Sequence, residues 1–207
     1  LKNNNQVAIP SGIAIGARQK WIKLIKPVVF VLCMLPLLRV GVLLNQAVNP
    51  IEFLTRSSGT WALVGLLVTL AITPLRQITG WSWLQSLRRM LGLFAFFYAL
   101  VHFATYIWLD QFFDFSAIVQ DIIKRPFITI GFAAFVLLIP LALTSTNGWM
   151  RRLKRNWGRI HRLIYLIAPL AVIHYFWLVK KDLTQPVLYA AVLCVLLIWR
   201  VWRRYSR

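Results

Sequence analysis

The sequence predicts an all-α integral membrane protein, a bundle of six transmembrane helices. Three observations carry this. Apolar residues make up 59% of the 207 residues, with a mean hydropathy of +0.68, where a soluble domain of this size would need more polar surface. Apolar runs of about 16–20 residues recur along the chain, close to the length that crosses a bilayer. Helices satisfy their own backbone in lipid, so each run defaults to a helix. The net charge of +19 sits in short clusters between these runs. It therefore reads as orientation in a membrane against anionic lipid, not as nucleic-acid binding.

The six segments are 28–46, 61–75, 90–109, 127–143, 161–179 and 187–202. Residues 1–27 read as a cytoplasmic tail, disordered over 1–20, residues 28–202 as the membrane domain, and residues 203–207 as a basic tail. The chain begins with Leu1, which fits a trimmed chain or an unusual start codon. No small-residue cleavage site follows the first run, so it reads as a retained anchor. Tryptophans such as Trp61, Trp81, Trp108 and Trp202 fall near segment ends, as an interfacial belt requires. Pro27, Pro74, Pro126 and Pro186 stand at borders, whereas Pro36, Pro140 and Pro169 lie inside segments and predict kinks. Cys33 and Cys194 lie in apolar runs without metal or redox spacing and read as small hydrophobes. No internal repeat and no nucleotide-binding motif is evident.

Charge sets the orientation. Eighteen of the 24 basic residues occupy the N-terminal tail, the 76–89 and 151–162 loops and the C-terminal tail, with no acid among them. All five acids, Glu52, Asp110, Asp114, Asp121 and Asp182, fall on the other face. The basic face is then cytoplasmic and both termini lie inside. Arg39 lies toward the acidic face and should snorkel or find a partner there.

The chain has three histidines, His102, His161 and His174. His102 lies 13 residues beyond Arg89, and His174 lies 13 beyond His161. At about 1.5 Å per residue both His102 and His174 sit about 18–20 Å from the basic end, so they can face each other at one depth. A single intramembrane histidine fits a helix–helix hydrogen bond or a proton path. Two at one depth favour the two axial ligands of a haem iron held between the third and fifth helices. The slot would be lined by Phe96, Phe97, Phe103 and Phe176. No C-x-x-C-H occurs, so a b-type haem is implied. Thirteen residues at about 100° put His161 and His174 roughly 140° apart around an ideal helix, a phase that a kink at Pro169 can alter.

RRMLGL followed by His102 and Tyr106, LTSTNGW after the fourth segment, and WGRIHRLIY followed by His174 together resemble the ferric-reductase-like transmembrane family. The resemblance covers about residues 20–205. Within that family the motifs lie nearest to haem-binding membrane subunits that serve methionine sulfoxide reductases. It implies haem b and flavin mononucleotide (FMN) as cofactors in a bacterial inner-membrane protein. It also implies electrons from the quinone pool or a cytoplasmic flavin reductase, delivered to a periplasmic molybdopterin enzyme that reduces methionine sulfoxide. The wider family places two histidines on each of the third and fifth helices. Here Arg88 and Arg89 stand at the inner position of the third helix. His102 and His174 therefore carry over as axial ligands. His161, with Arg88 and Arg89, forms a second candidate site for a singly ligated haem, a flavin or a quinone.

The arginines at 76–89 and 151–162 also fit plain contact with anionic lipid heads. Arg88 and Arg89 have the narrower option of pairing with a propionate, a flavin phosphate or a quinone oxygen. The external stretch DQFFDFSAIVQDIIKRP reads either as an interfacial helix that docks an external partner or as a re-entrant connector. No carboxylate pair, triad or thiol arrangement for hydrolysis is present, so the chain reads as an electron-transfer subunit without a complete active site. The rival readings are a direct ferric or oxygen reductase of the same family, a haem-free histidine-relay transporter, and a scaffold that tolerates loss of all three histidines.

Overall fold

The computed structural model describes residues 11–179 and 182–206, and among them there is no strand. Nine α-helices are described: α1 (Ser11–Leu43), α2 (Pro50–Thr79), α3 (Arg88–Thr105), α4 (Phe115–Lys124), α5 (Pro126–Leu143), α6 (Asn147–Leu153), α7 (Arg155–His161), α8 (Ile164–Leu178) and α9 (Thr184–Tyr205). Six spans among them are long and apolar enough to cross a membrane: Lys23–Gln46, Pro50–Thr79, Arg88–Asp110, Pro126–Leu143, Arg155–Leu178 and Thr184–Tyr205.

The helices outrun the expected segments. Residues 1–10 of the expected disordered tail lie outside the described residues, but from Ser11 the backbone is helical and runs into the first span. Extending a helix costs less than nucleating one, so the apolar span draws the polar stretch before it into helix. At the other end, helix continues to Tyr205 through the expected basic tail. The largest difference is in α2, which starts at Pro50 instead of residue 61. Asn49 caps it, its side chain accepting from the Glu52 N–H at 3.2 Å, and Pro50 occupies the first turn. Glu52 pairs with Arg56 one turn on, at 2.6 Å. Polar residues at 52–58 lower the hydropathy without breaking the helix.

Small residues allow close packing of α2 on α3. A Cβ added at Gly65 would stand 3.0 Å from the Ala95 Cβ and 3.1 Å from its Cα, and Ala95 is fully buried. The main core continues through Leu66 and Leu70 of α2, Leu138 of α5, Ile167 and Ala168 of α8 and Leu193 of α9. α1 is mostly lipid-facing, with Val31, Leu35, Leu38 and Val42 exposed, and Arg39 is exposed as well. α1, α5 and α8 run continuously through Pro36, Pro140 and Pro169.

The stretch DQFFDFSAIVQDIIKRP is helical over α4, capped by Asp114. Phe112, Phe113, Phe115 and Ile123 are exposed beside it, while Ile118 turns inward. Cys33 and Cys194 are both free thiols.

Candidate haem-binding site

His102 and His174 meet. Their ring centroids are 6.2 Å apart, with the planes inclined by 72°. Equal depth follows from the equal helical offsets; the close approach follows from α3 and α8 packing around the same core.

Each ring is held by a neighbouring helix in the same way. His102 Nδ1–H donates to the Thr55 carbonyl of α2 at 2.8 Å. His174 Nδ1–H donates to the Phe127 carbonyl of α5 at 2.7 Å. A carbonyl only accepts, so both Nδ1 atoms carry the proton and Nε2 is left as the free lone-pair nitrogen of each ring. One turn beyond each carbonyl stands a glycine. A Cβ at Gly59 would lie 2.9 Å from His102 Nδ1, and one at Gly131 would lie 2.6 Å from His174 Nδ1. The missing side chains let each imidazole lie flat against its helix and reach the carbonyl.

The two halves share a register. Carbonyl and histidine are 47 residues apart in both pairs; glycine and histidine are 43 apart in both (102 − 59 and 174 − 131). The correspondence is confined to one carbonyl, one glycine and one histidine in each half.

Other groups brace the pair. The Thr55 hydroxyl donates to Thr105 Oγ1 at 3.1 Å, and the Thr105 hydroxyl donates to the His102 carbonyl at 2.8 Å. Directly after Thr105 the chain forms a π-helical turn over Tyr106–Asp110, a feature common at functional sites. Of the expected aromatic lining, Phe103 packs on Phe132 and Phe135 of α5 at 5.8 and 4.6 Å, and Phe96 stacks on Phe135 at 6.2 Å. Phe97 turns to Tyr98, and Phe176 is exposed.

The pair suits a metal held by imidazole nitrogen: two adjacent rings each keep Nε2 free once Nδ1–H is bound to a carbonyl. Nδ1–H bonds to backbone oxygen are the usual support for a ligating imidazole. No group of three or more His, Cys, Asp or Glu side chains suited to a metal occurs among the described residues, so a two-histidine site would need a carrier such as porphyrin for its remaining ligands.

His161 is placed apart, at the basic end. Its Nδ1–H donates to the Trp157 carbonyl at 3.1 Å and its ring stacks on Trp157 at 4.0 Å. Trp157 Nε1–H in turn donates to the Thr144 carbonyl at 3.0 Å. Arg88 lies within electrostatic range of His161, whereas Arg89 is exposed and donates to Asn147 Oδ1. That bond joins RRMLGL to LTSTNGW, where Thr146 caps α6. The irregularity that changes the His161–His174 phase lies ahead of Pro169. Arg162, Leu163, Tyr165 and Leu166 each donate to the carbonyl three residues back. Each such step advances about 20° more than an α-helical one, which turns the two histidines toward a common side.

The model of the ferric reductase like transmembrane component family matches residues 58–172, just over half of the chain. This chain belongs to the ferric-reductase-like transmembrane family. The family match includes Gly59, Arg88, Arg89, His102, Gly131 and His161 and ends just before His174. Family members in curated collections are similar over most of their length. One is the protein-methionine-sulfoxide reductase heme-binding subunit MsrQ of Herminiimonas arsenicoxydans, 51% identical over 193 residues, covering 89% of this chain and 88% of that protein. The proteins of the same name from Xanthomonas campestris pv. campestris (strain 8004) and Xanthomonas oryzae pv. oryzae (strain MAFF 311018) are each 59% identical over 158 residues, covering 76% of this chain and 72% of theirs. No solved structure matches the chain.

Sequence reasoning found the histidines and missed what holds them. Thr55, Gly59, Phe127 and Gly131 give no hydropathy or spacing signal on their own. The one available clue was that a glycine stands 43 residues before each of the two histidines.

Proposed function

We propose that this chain is the haem-binding membrane subunit of a protein-methionine-sulfoxide reductase system. It carries single electrons across the bacterial inner membrane, from the quinone pool or a cytoplasmic flavin reductase. The acceptor is a periplasmic molybdopterin-containing reductase of the MsrP type, which repairs oxidised methionine in proteins. The basic loops and both termini face the cytoplasm. The observation that carries this reading is the pair of imidazoles 6.2 Å apart, each with Nε2 free. The relatives' names supply the reaction.

When bound, haem b supplies reversible one-electron chemistry at its iron. The residues do the rest. His102 and His174 would hold it, oriented by the Thr55 and Phe127 carbonyls. Those bonds make each imidazole a more basic ligand. Phe103, next to His102 in the chain, packs with Phe132 and Phe135 into an apolar cluster between α3 and α5. His161, with Arg88 in range and Arg89 at the same end, is the second site, for a singly ligated haem, FMN or quinone. A guanidinium there pairs with a propionate, a phosphate or a quinone oxygen. A proton relay through His102 and His174 is less well served, because both Nδ1–H groups are tied to main-chain carbonyls that do not exchange protons.

The test is spectroscopic. Detergent-purified protein should give a b-type reduced-minus-oxidised spectrum and a positive pyridine haemochrome. His102→Ala and His174→Ala should each abolish the low-spin signature, and His161→Ala should leave the His102–His174 signature in place. A colourless wild type, or a normal low-spin spectrum in either of the first two variants, would refute the assignment.

A further inference from the structure

Away from the paired histidines, at the basic end of the bundle, α2 and α9 border an open cleft of about 310 Å³ lined by Thr73, Gln77, Arg200, Arg203 and Arg204. The i, i+3, i+4 spacing of the arginines puts all three on one face of α9. Arg200 of α9 is held by two neighbouring helices. One terminal nitrogen donates to the Leu70 carbonyl of α2 at 2.7 Å and the other to the Tyr165 hydroxyl of α8, with the guanidinium 5.0 Å from the Tyr165 ring centre. Arg203 lies against the rings of Trp199 and Trp202, at 5.7 and 5.9 Å.

Two features go beyond ordinary orientation by positive charge. The Nε atoms of Arg200 and Arg203 are buried and have no hydrogen-bond partner among the described residues. No carboxylate among the described residues pairs with them either. All five acids belong to the opposite face, and the two ion pairs among the described residues, Arg56–Glu52 and Arg125–Asp121, both lie there. Partly buried charges are normally paired, so the compensating anion has to come from outside the chain. The cleft is lined almost only by donors: the guanidinium groups of Arg203 and Arg204, the Nε–H of Arg200, whose terminal nitrogens are already engaged, the Thr73 hydroxyl, and the Gln77 amide, whose oxygen is already used by Trp199 Nε1–H at 3.2 Å. One carboxylate would fill one guanidinium fork. Several forks converging with neutral donors suit a tetrahedral anion with more oxygens.

We propose that Arg200, Arg203 and Arg204, with Gln77 and Thr73, form a phosphate-binding site between α2 and α9. The phosphate belongs to a membrane phospholipid or to a soluble phosphate compound. Val195, Ile198 and Val201 are exposed on α9 near the site and give acyl chains a surface in the first case.

The experiment uses the full chain, purified in a neutral detergent and stripped of lipid, in two arms. Native mass spectrometry measures retention of phosphatidylglycerol against phosphatidylcholine. Thermal unfolding measures protection by inorganic phosphate against chloride at equal ionic strength. The variants are Arg200→Gln/Arg203→Gln and a control with the same charge change, Arg151→Gln/Arg152→Gln, on α6 outside the cavity. The cavity variant should lose about tenfold or more in affinity for whichever probe binds, the scale of one charge-assisted hydrogen bond. The control should match wild type. Binding in the first arm identifies the lipid headgroup; protection in the second identifies a soluble phosphate. Equal losses in both variants, or no binding of either probe to wild type, would overturn the proposal. So would loss of haem with phosphate retained, which would assign the arginines to a carboxylate. If the double variant does not fold, Arg203→Gln alone decides, with the same expected loss.

Discussion

Replacing Gly131 with alanine tests how the paired histidines are held. The added Cβ would stand 2.6 Å from Nδ1, 2.8 Å from Cε1 and 3.0 Å from Cγ of His174, where ordinary contact begins near 3.4 Å. The ring must therefore withdraw from α5 by about 0.8 Å. Phe127 lies one turn back on the same face, so the withdrawal stretches the 2.7 Å bond to its carbonyl to about 3.5 Å, beyond useful hydrogen bonding. The loss is about 1 kcal/mol for the bond itself and about 10–100-fold in metal affinity, as for other partners that orient a ligand. Gly59→Ala meets His102 at 2.9 Å, needs a smaller shift and should be milder. Gly92→Ala is the control. It lies on the same helix as His102, its Cβ would meet only Thr69 Cγ2 at 3.8 Å, and alanine there favours helix by roughly 0.5–1 kcal/mol. Haem per chain by pyridine haemochrome, with the low-spin signature, should rank wild type and Gly92→Ala together, then Gly59→Ala, then Gly131→Ala. Wild-type haem content and signature in Gly131→Ala would refute the reasoning, as would an equal loss in Gly92→Ala.

Two further substitutions separate packing from ligation. Gly65→Ala drives a methyl to within 3.1 Å of the Ala95 backbone and should destabilise the α2–α3 pair by about 1–3 kcal/mol as overpacking does, read by detergent unfolding; an unchanged midpoint would mean that these helices can part freely. Thr55→Val removes the hydroxyl bond to Thr105 but keeps the carbonyl that accepts from His102, so it should cost about 1 kcal/mol of stability with haem content unchanged. Haem loss from Thr55→Val without a stability change would show that the hydroxyl itself orients the ligand.

The sequence was most informative where one periodicity dominates. Hydropathy located all six spans, and the equal offsets from Arg89 to His102 and from His161 to His174 placed two histidines at one depth. It was least informative at 50–60, where Glu52, Thr55, Arg56 and Ser58 read as a polar loop. That stretch is the first part of α2, because capping by Asn49 and the Glu52–Arg56 pair satisfy it as helix. The support for His102, the Thr55 carbonyl and Gly59, was hidden by that boundary. A kink at Pro169 can alter the phase between His161 and His174, but the overwound steps lie at Arg162–Leu166. Local hydrogen bonding sets such a turn, and no residue type marks it.

The sequence by itself determined the membrane class, the span count, the concentration of positive charge at one end and the shared depth of His102 and His174. Each depends on apolar length, on charge, or on the fixed rise of a helix, all of which belong to single segments. Only the tertiary structure decided that α2 and α5 each present a carbonyl and a glycine to one of those histidines, that His161 rests on Trp157, and that Arg200 crosses to Leu70 and Tyr165. These depend on which face one helix turns toward another. Close packing fixes that rotation, and many apolar sequences are compatible with the same spans but not with the same contacts.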